Sequence, residues 1–573
     1  MTSRIPHLIL ALIAFSFSGC GDSESDTTGA TRPAVQVTAE PWFKDVAKQS
    51  GLEFTWQSGA DGDFNLPEII GGGAAMIDYD RDGDLDLYFL QGGQILRQGQ
   101  QDNLPNQLFR NDGNWNFVEV PGAAGADDRG YGMSVTTGDY DNDGDTDLYI
   151  TNVGRDTLLR NDGGRFVDAT EAAGLGDTGW GSATAFVDYD ADGHLDLYVG
   201  KYLEWSPETE ITCYSSLGKE DYCAPGNYPV AASDLLYRNR GDGTFEDVSK
   251  AAGIKTQNRT ALGITTGDYD GDGHMDIFIA NDGKPDTMWR NQGDGTFLDV
   301  GMRAGCAMDE DGKEKAGMGV GSTDLDDDGD LDLVVCNLVN ESDSMFLNQG
   351  DYFIDATARK GVKRATSSYT RFGLGWIDLD NDGHLDLYEA TGHVQRRADS
   401  KSDDPYAQED LLLRGTPGGR FEMVKPSGGT SAKLHRTSRA AVFGDLDDDG
   451  LVDVLVVNRD APANLYRNVV ASPGNWCVIR VLNEHGQDAI GAVLTGQLGE
   501  RTITRPVQTA HSYFAANDPR IHIGLGPADR LEAVEILWPD GTRGSFGDLT
   551  ANQVHEVRRM NGSDPEGPAS ADQ

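Results

Sequence analysis

The chain has 573 residues, with 94 Asp and Glu against 47 Lys and Arg, a formal net charge of −47 and a pI of about 4.3. A field of that sign repels nucleic acid and anionic membrane surfaces, so neither is expected as a partner. The 73 glycines suit many tight turns, and long helical periodicity is missing, which predicts an all-β repeat protein.

The N-terminus reads as an export signal. Arg4 precedes an apolar run, residues 8–17, that is too short to span a bilayer. The run ends Phe17-Ser18-Gly19-Cys20, which resembles the lipobox of a bacterial lipoprotein with Cys20 as the lipid-bearing residue. An ordinary signal peptide cut nearby is the alternative. Residues 1–20 are assigned to the signal, and residues 21–40, rich in Ser, Asp, Thr and Gly, to a flexible tether. The expected location is the outer membrane, periplasm or cell surface, with any membrane attachment only through a lipid on Cys20.

From residue 41 a repeat begins. The motif D-x-D-x-D-G-x-x-D occurs seven times, starting at Asp78, Asp139, Asp188, Asp268, Asp324, Asp378 and Asp445. Positions 1, 3, 5, 7 and 9 hold Asp78, Asp80, Asp82, Asp84 and Asp86 in loop 1, and Asp139, Asp141, Asp143, Asp145 and Asp147 in loop 2. Loop 3 has Asp188, Asp190, Asp192, His194 and Asp196; loop 4 has Asp268, Asp270, Asp272, His274 and Asp276. Loop 5 has Asp324, Asp326, Asp328, Asp330 and Asp332. Loop 6 has Asp378, Asp380, Asp382, His384 and Asp386; loop 7 has Asp445, Asp447, Asp449, Leu451 and Asp453.

Without a cation this many carboxylates would repel one another. Hard oxygen donors from positions 1, 3, 5 and 9, a Gly turn at 6 and a backbone carbonyl at 7 suit Ca²⁺ better than Mg²⁺, which demands strict octahedral geometry. About seven Ca²⁺ sites are expected. Position 7, which includes Leu451 in loop 7, is expected to act through its carbonyl, so the side chains of His194, His274 and His384 are expected to be exposed bystanders. The flanking sequence, such as Leu85-Asp86-Leu87-Tyr88-Phe89, is strand-like, so each loop joins two strands and no EF-hand is implied.

Two further elements recur between the loops. One is a short strand ending at a turn, as in Leu108-Phe109-Arg110-Asn111 and Leu465-Tyr466-Arg467-Asn468, with a weaker version at Leu412-Leu413-Arg414-Gly415. The other is an F-x-D-V strand, as in Phe297 to Val300, with Glu119 in place of the Asp in Phe117 to Val120. Together they make four strands per unit, a propeller blade. One F-x-D-V copy, Phe43-Lys44-Asp45-Val46, precedes the first loop, and none follows the last Leu-Tyr-Arg-Asn. The N-terminal strand is therefore expected to complete the last of seven blades, removing an exposed sheet edge. Residues 41–470 are assigned to this propeller.

The longest insertion between loops, residues 205–230, carries Trp205, Tyr214, Tyr222 and Tyr228. These either form a contact surface for sugar or protein, or cover a hydrophobic gap. Cys213 and Cys223 bracket a short loop there and are expected to pair in an exported protein. Cys306 and Cys336 are either a pair or buried thiols. From Asn475 the chain alternates apolar and polar residues, predicting a compact β domain over residues 475–558 that includes Cys477. Residues 560–573 read as a disordered tail.

The Asp loops with their N-x-G-x-x-x-F partners resemble FG-GAP/VCBS repeats, the units of integrin-α-like propellers. The C-terminal stretch resembles the ASPIC/UnbV domain, on Asn475-Trp476, Ile490-Gly491-Ala492, His522-Ile523-Gly524-Leu525-Gly526 and Trp538-Pro539-Asp540-Gly541. The pair resembles the cartilage acidic protein-like family, which implies a Ca²⁺-binding extracellular propeller and no settled activity. Ala510-His511-Ser512-Tyr513 departs from that family, which has a Gly-rich segment there.

The expected function is a cell-surface binding or adhesion module for a glycan or protein. The alternative is a Ca²⁺-dependent polysaccharide lyase or hydrolase using His393, Arg396, Arg397 and Tyr406, close together after loop 6. No Ser-His-Asp pattern or phosphate loop supports catalysis.

Overall fold

The computed structural model describes residues 40–95, 103–228, 233–254, 259–398, 400 and 402–559, and the signal, Cys20, the tether before residue 40 and the tail after residue 559 lie outside the described residues. No described helix is long and apolar enough to cross a membrane.

The chain is nearly all β. Among the described residues, seven sheets repeat one strand order. In blade 1 the strands are Ala74–Ile77, Asp86–Phe89, Gln107–Asn111 and Phe117–Glu119, each antiparallel to the next. Blade 7 consists of Ser438–Gly444, Asp453–Asn458, Asn464–Asn468 and, as its outer strand, Phe43–Asp45 from the other end of the chain. Phe43 pairs with Asn468 and Asp45 with Tyr466. The inner strand of each blade packs on the inner strand of the next, and that of blade 7 packs on that of blade 1. The ring therefore closes by pairing the two ends of the repeat, which satisfies an edge that would otherwise be open.

The local reason for each blade lies in its burial pattern. Inner and second strands are buried on both faces, as in Tyr131–Gly138 and Asp276–Asn281. Such strands lie between neighbouring blades and mix apolar residues with small Gly, Ala, Ser and Thr. Outer strands alternate, with the Phe of each F-x-D triplet buried and its neighbour out.

The C-terminal domain has two sheets. One contains Ile521–Gly526, Asn475–Leu482 and Gln553–Arg558; the other contains Arg501–Pro506, Val493–Leu498, Arg530–Leu537 and Arg543–Thr550. Ile479, Leu494, Ile503, Val534, Ile536 and Trp538 fill the space between them. One segment, residues 507–518, leaves this domain and enters the centre of the propeller. Its short strand Ala515–Ala516 runs parallel to Ala74 and Ala75 of blade 1. Ser512 exchanges backbone hydrogen bonds with Val320 of blade 5, accepts from the Leu374 amide of blade 6 and donates its hydroxyl to Ala441 of blade 7. Thr509 donates to Thr137 of blade 2, and Thr265 of blade 4 donates to Gln508. Residues 508–516 thus sit among the inner strands of the blades.

Candidate metal centres and the cavity beside them

Each acidic loop joins the inner strand of its blade to the second strand. The Gly at position 6 has φ between 81° and 99° in all seven loops, so an L side chain there would be strained. In loops 2 to 7 the amide of that Gly donates to the position 1 carboxylate at 2.6–3.1 Å. In all seven loops the position 7 amide donates to the position 5 carboxylate at 2.9–3.0 Å. These turns aim the remaining carboxylate oxygens into the loop.

Position 9 begins the second strand and does a second job. Both of its oxygens accept backbone amides, one from position 2 of its own loop at 2.8–3.2 Å and one from the end of the third strand at 2.7–2.9 Å. In loops 2, 3 and 4, positions 1, 3 and 9 still bring one oxygen each within 4.8 Å of one another, as do Asp78, Asp80 and Asp82 in loop 1. These clusters could hold a metal ion.

Two observations fit the donor set to a cation. Asp80, Asp141, Asp270 and Asp447, all at position 3, each keep one Oδ1 buried with no hydrogen-bond donor, as do Asp78 and Asp324 at position 1. An ionised oxygen in that setting is costly unless a positive charge faces it. Burial also pushes the carboxyls up: Asp188 and Asp324 to about 6, Asp139 and Asp445 to about 7, Asp86, Asp276, Asp332 and Asp378 to about 8, and Asp196 to about 9. A bound cation would reverse that push by favouring the charged form.

The position 7 histidines differ from the expectation of exposed bystanders. His194, His274 and His384 are half-buried. The His194 Nδ1 lies 2.8 Å from the Asn142 side-chain amide, and the His194 and His274 rings pack over Gly241 and Gly293, where a side chain would collide with them. They are packing residues of the neighbouring hairpin. Leu451 is buried as well.

The insertion forms the expected disulfide, Cys213–Cys223. Its aromatics mostly cover the fold: Trp205, Tyr222 and Tyr228 are 7%, 3% and 8% exposed, and only Tyr214, at 64%, faces solvent. Trp205 and Tyr228 donate to Glu210, which in turn accepts the Leu66 amide. Cys306, Cys336 and Cys477 are buried free thiols.

The residues proposed for a lyase serve internal contacts. Tyr406 is buried and donates to Asp221 at 2.8 Å, while the His393 amide donates to the Tyr406 carbonyl. The Arg396 guanidinium lies over the rings of Phe64 and Tyr406 at 5.1 and 5.9 Å. Arg459 lies over Tyr222 and Tyr406 and donates to the Tyr222 hydroxyl, which donates to Glu68.

A cavity of about 420 Å³ opens between loops 1 to 3 and the C-terminal domain. Asp78, Asp139 and Asp188 line one side; Arg480, His485, Trp538 and His555 line the other. Sequence reasoning missed this cavity, because its walls come from segments far apart in the chain.

This architecture defines a propeller protein with an acidic loop in every blade and a β domain docked on those loops. Residues 78–150, 139–199, 218–279, 268–312 and 324–389 match the FG-GAP-like repeat, and residues 483–564 match ASPIC and UnbV. The chain is an FG-GAP-repeat protein of the ASPIC/UnbV family, homologous to cartilage acidic protein 1. It is 27% identical to the Mus musculus protein of that name over 320 residues, and 26% identical to the Homo sapiens one over 320 residues. The match covers 54% of this chain and 46% and 45% of those relatives, so it spans less than half of their length. Among solved structures, the chain is similar to a lectin of Agrocybe aegerita (TM-score 0.35, 18% identity, 67% of this chain and 85% of that one). It is also similar to Sqt1 of Saccharomyces cerevisiae (TM-score 0.39, 11% identity, 70% and 95%).

Proposed function

We propose that this chain is an exported Ca²⁺-binding propeller that acts outside the cytoplasm as a binding module for a glycan or protein ligand. The observation that carries the metal reading is the set of buried position 3 oxygens without donors, repeated in four loops. Ca²⁺ suits them because it accepts six to eight oxygen ligands in flexible geometry. Asp at positions 1, 3, 5 and 9 and the carbonyl at position 7 would hold it, and the ion would supply the positive charge that lets these carboxylates ionise together. Cys20 is the proposed lipid attachment.

The ligand is assigned to the cavity beside loops 1 to 3 and not to the 205–230 insertion, whose aromatics are largely buried. The cavity is of a size that takes a small ligand or one or two sugar units. Its walls mix carboxylates with Arg480, His485 and His555, a surface suited to polar, hydroxyl-rich groups.

The test is incubation of the purified, Ca²⁺-loaded protein with a panel of polysaccharides, scoring retention and released fragments beside a chelated control. Retention without fragments supports a glycan-binding module, and its loss in Arg480→Ala places the site. Fragment release overturns the binding-module reading in favour of an enzyme. Neither signal directs the search to protein ligands.

A further inference from the structure

The residue at position 4 has a positive φ in all seven loops: Arg81 60°, Asn142 60°, Ala191 56°, Gly271 72°, Asp327 63°, Asn381 57° and Asp448 54°. The shared turn presents this position to the next loop around the ring. At three junctions its side chain bridges the gap. Arg81 of loop 1 lies 3.0 Å from Asp145 of loop 2. Asn142 of loop 2 donates to the Gly193 carbonyl of loop 3 at 3.1 Å. Asn381 of loop 6 donates to the Gly450 carbonyl of loop 7 at 2.9 Å.

At the junctions after loops 5 and 7, position 4 is an aspartate, and a carboxylate cannot donate to a carbonyl. An arginine of the C-terminal domain stands at each. Arg501 holds both oxygens of Asp327, at 2.6 and 3.1 Å, and donates to the Gly383 carbonyl of loop 6 at 2.7 Å. Arg520 donates to Asp448 at 2.7 Å and to the Asp445 carbonyl at 2.6 Å, both in loop 7, and so ties that loop to the domain. Asp518 braces Arg520 on its other side at 2.9 Å. More of the domain sits on the same loops. The Gly474 and Gly526 amides donate to the carbonyls of Asp380 and Asn381, and Arg505 donates to that of Asp324. The remaining position 4 residues, Ala191 and Gly271, have no reach.

We propose that the C-terminal domain is a clasp on the ring of acidic loops: Arg501 makes the link from loop 5 to loop 6 that Asp327 cannot make alone, and Arg520 ties Asp448 and its loop to the domain. Cation binding to loops 5, 6 and 7 and docking of the domain then strengthen each other. None of these contacts uses an expected ligand oxygen, so clasp and cation can act on one loop together. The coupling is reciprocal by linkage, and it rests on the reading that the loops hold Ca²⁺. Because residues 507–518 continue from the docked domain into the centre of the propeller, loss of cation should loosen that segment as well.

The test is residue-resolved hydrogen exchange on the full chain across a free Ca²⁺ titration, with calorimetry of Ca²⁺ binding alongside. Chelation should speed exchange across residues 509–517. In Arg501→Gln/Arg520→Gln, half-protection of loops 5 to 7 should need at least ~5-fold more Ca²⁺, within the usual range of such couplings. Loops 3 and 4, which neither Arg501 nor Arg520 touches, should keep their midpoint. Adding Asp327→Asn to Arg501→Gln should recover part of the shift at loops 5 and 6, since an amide can reach the Gly383 carbonyl itself. Ca²⁺ bound by calorimetry with unchanged exchange at 509–517 overturns the clasp, as do equal midpoints in wild type and variant. No Ca²⁺ bound overturns the metal reading and the coupling together. The chelation arm needs only the wild-type chain, so it decides the matter even if a variant does not fold.

Discussion

The side-chain amide of Asn111 in blade 1 donates a 3.1 Å hydrogen bond to the backbone carbonyl of Leu446 in the loop of blade 7. It is one copy of a clamp repeated around the ring. Asn161, Asn239, Asn291, Asn348 and Asn468 reach the position 2 carbonyls of Tyr79, Tyr140, Tyr189, Tyr269 and Leu379 in the preceding blades. The Asn that ends the third strand thus ties six of the seven acidic loops to the next blade, and the Asn111 copy bridges the two ends of the repeat.

Asn239→Ala should cost about 1–3 kcal/mol, because it leaves a buried carbonyl without its donor. Blade 6 has Gly415 where the other blades have Asn, and it lacks this clamp. Gly415→Asn should destabilise, not repair, because a Cβ there would sit 2.2 Å from the Leu385 carbonyl. Denaturant midpoints of the two variants check both signs.

Loop 4 separates the ligand reading from the packing reading. Asp270 keeps one buried oxygen without a donor, while its other oxygen meets Arg290 at 2.8 Å. Asp270→Ala should lose about 1–3 kcal/mol of stability in Ca²⁺ and much less in chelator. His274→Ala should change either condition little. Equal losses in Ca²⁺ would mean that position 7 binds through its side chain.

The pH dependence should change sign with the cation. In its absence Asp86, Asp276 and Asp332 have folded-state values near 8, above the 3.8 expected when unfolded. Between those values the folded state holds more protons, so stability is greatest at acid pH and falls as pH rises through that window. With Ca²⁺ present these carboxyls are held ionised and protons compete with the ion, so stability should rise from pH 4 to 8. Melting temperatures at several pH values, with Ca²⁺ and with chelator, should show opposite slopes.

Arg371 is fully buried and donates to Asp343 at 2.7 Å, next to the equally buried Glu389 and Cys336. The guanidinium fills the cationic place in this buried acidic group. Arg371→Met should cost about 3–5 kcal/mol, because it leaves buried carboxylates uncompensated. Asp343→Asn in that background should recover part of the loss in a thermal melt.

Reduction of Cys213–Cys223 should act locally. The bridge closes a short loop in the insertion, whose Tyr222 and Asp221 anchor Glu68 and Tyr406. Protease cleavage within residues 205–228 should appear first on reduction. Cleavage beginning elsewhere would show that the bridge supports the ring as a whole.

Much of the fold was legible because its signals are local. A nine-residue loop writes its Gly and its carboxylates in sequence, and a strand writes its alternation, so seven loops and four strands per repeat can be counted. The missing F-x-D-V after Asn468 and the extra one at Phe43 even betray the closing strand, because sheet pairing leaves no unpaired copy. Less local facts were hidden. The sequence could not show that position 9 is tied to two backbone amides, that the position 7 histidines pack on glycines, or that the insertion's aromatics face inward. Arg501 and Arg520 gave no signal at all, since each meets a loop 72 to 174 residues away. Local chemistry alone determined the repeat, its acidic loops and the class of cation they suit. The tertiary structure decided what sits among the inner strands, where a ligand has room and which arginines face the position 4 aspartates. Those depend on surfaces brought together only when the ring closes and the C-terminal domain docks.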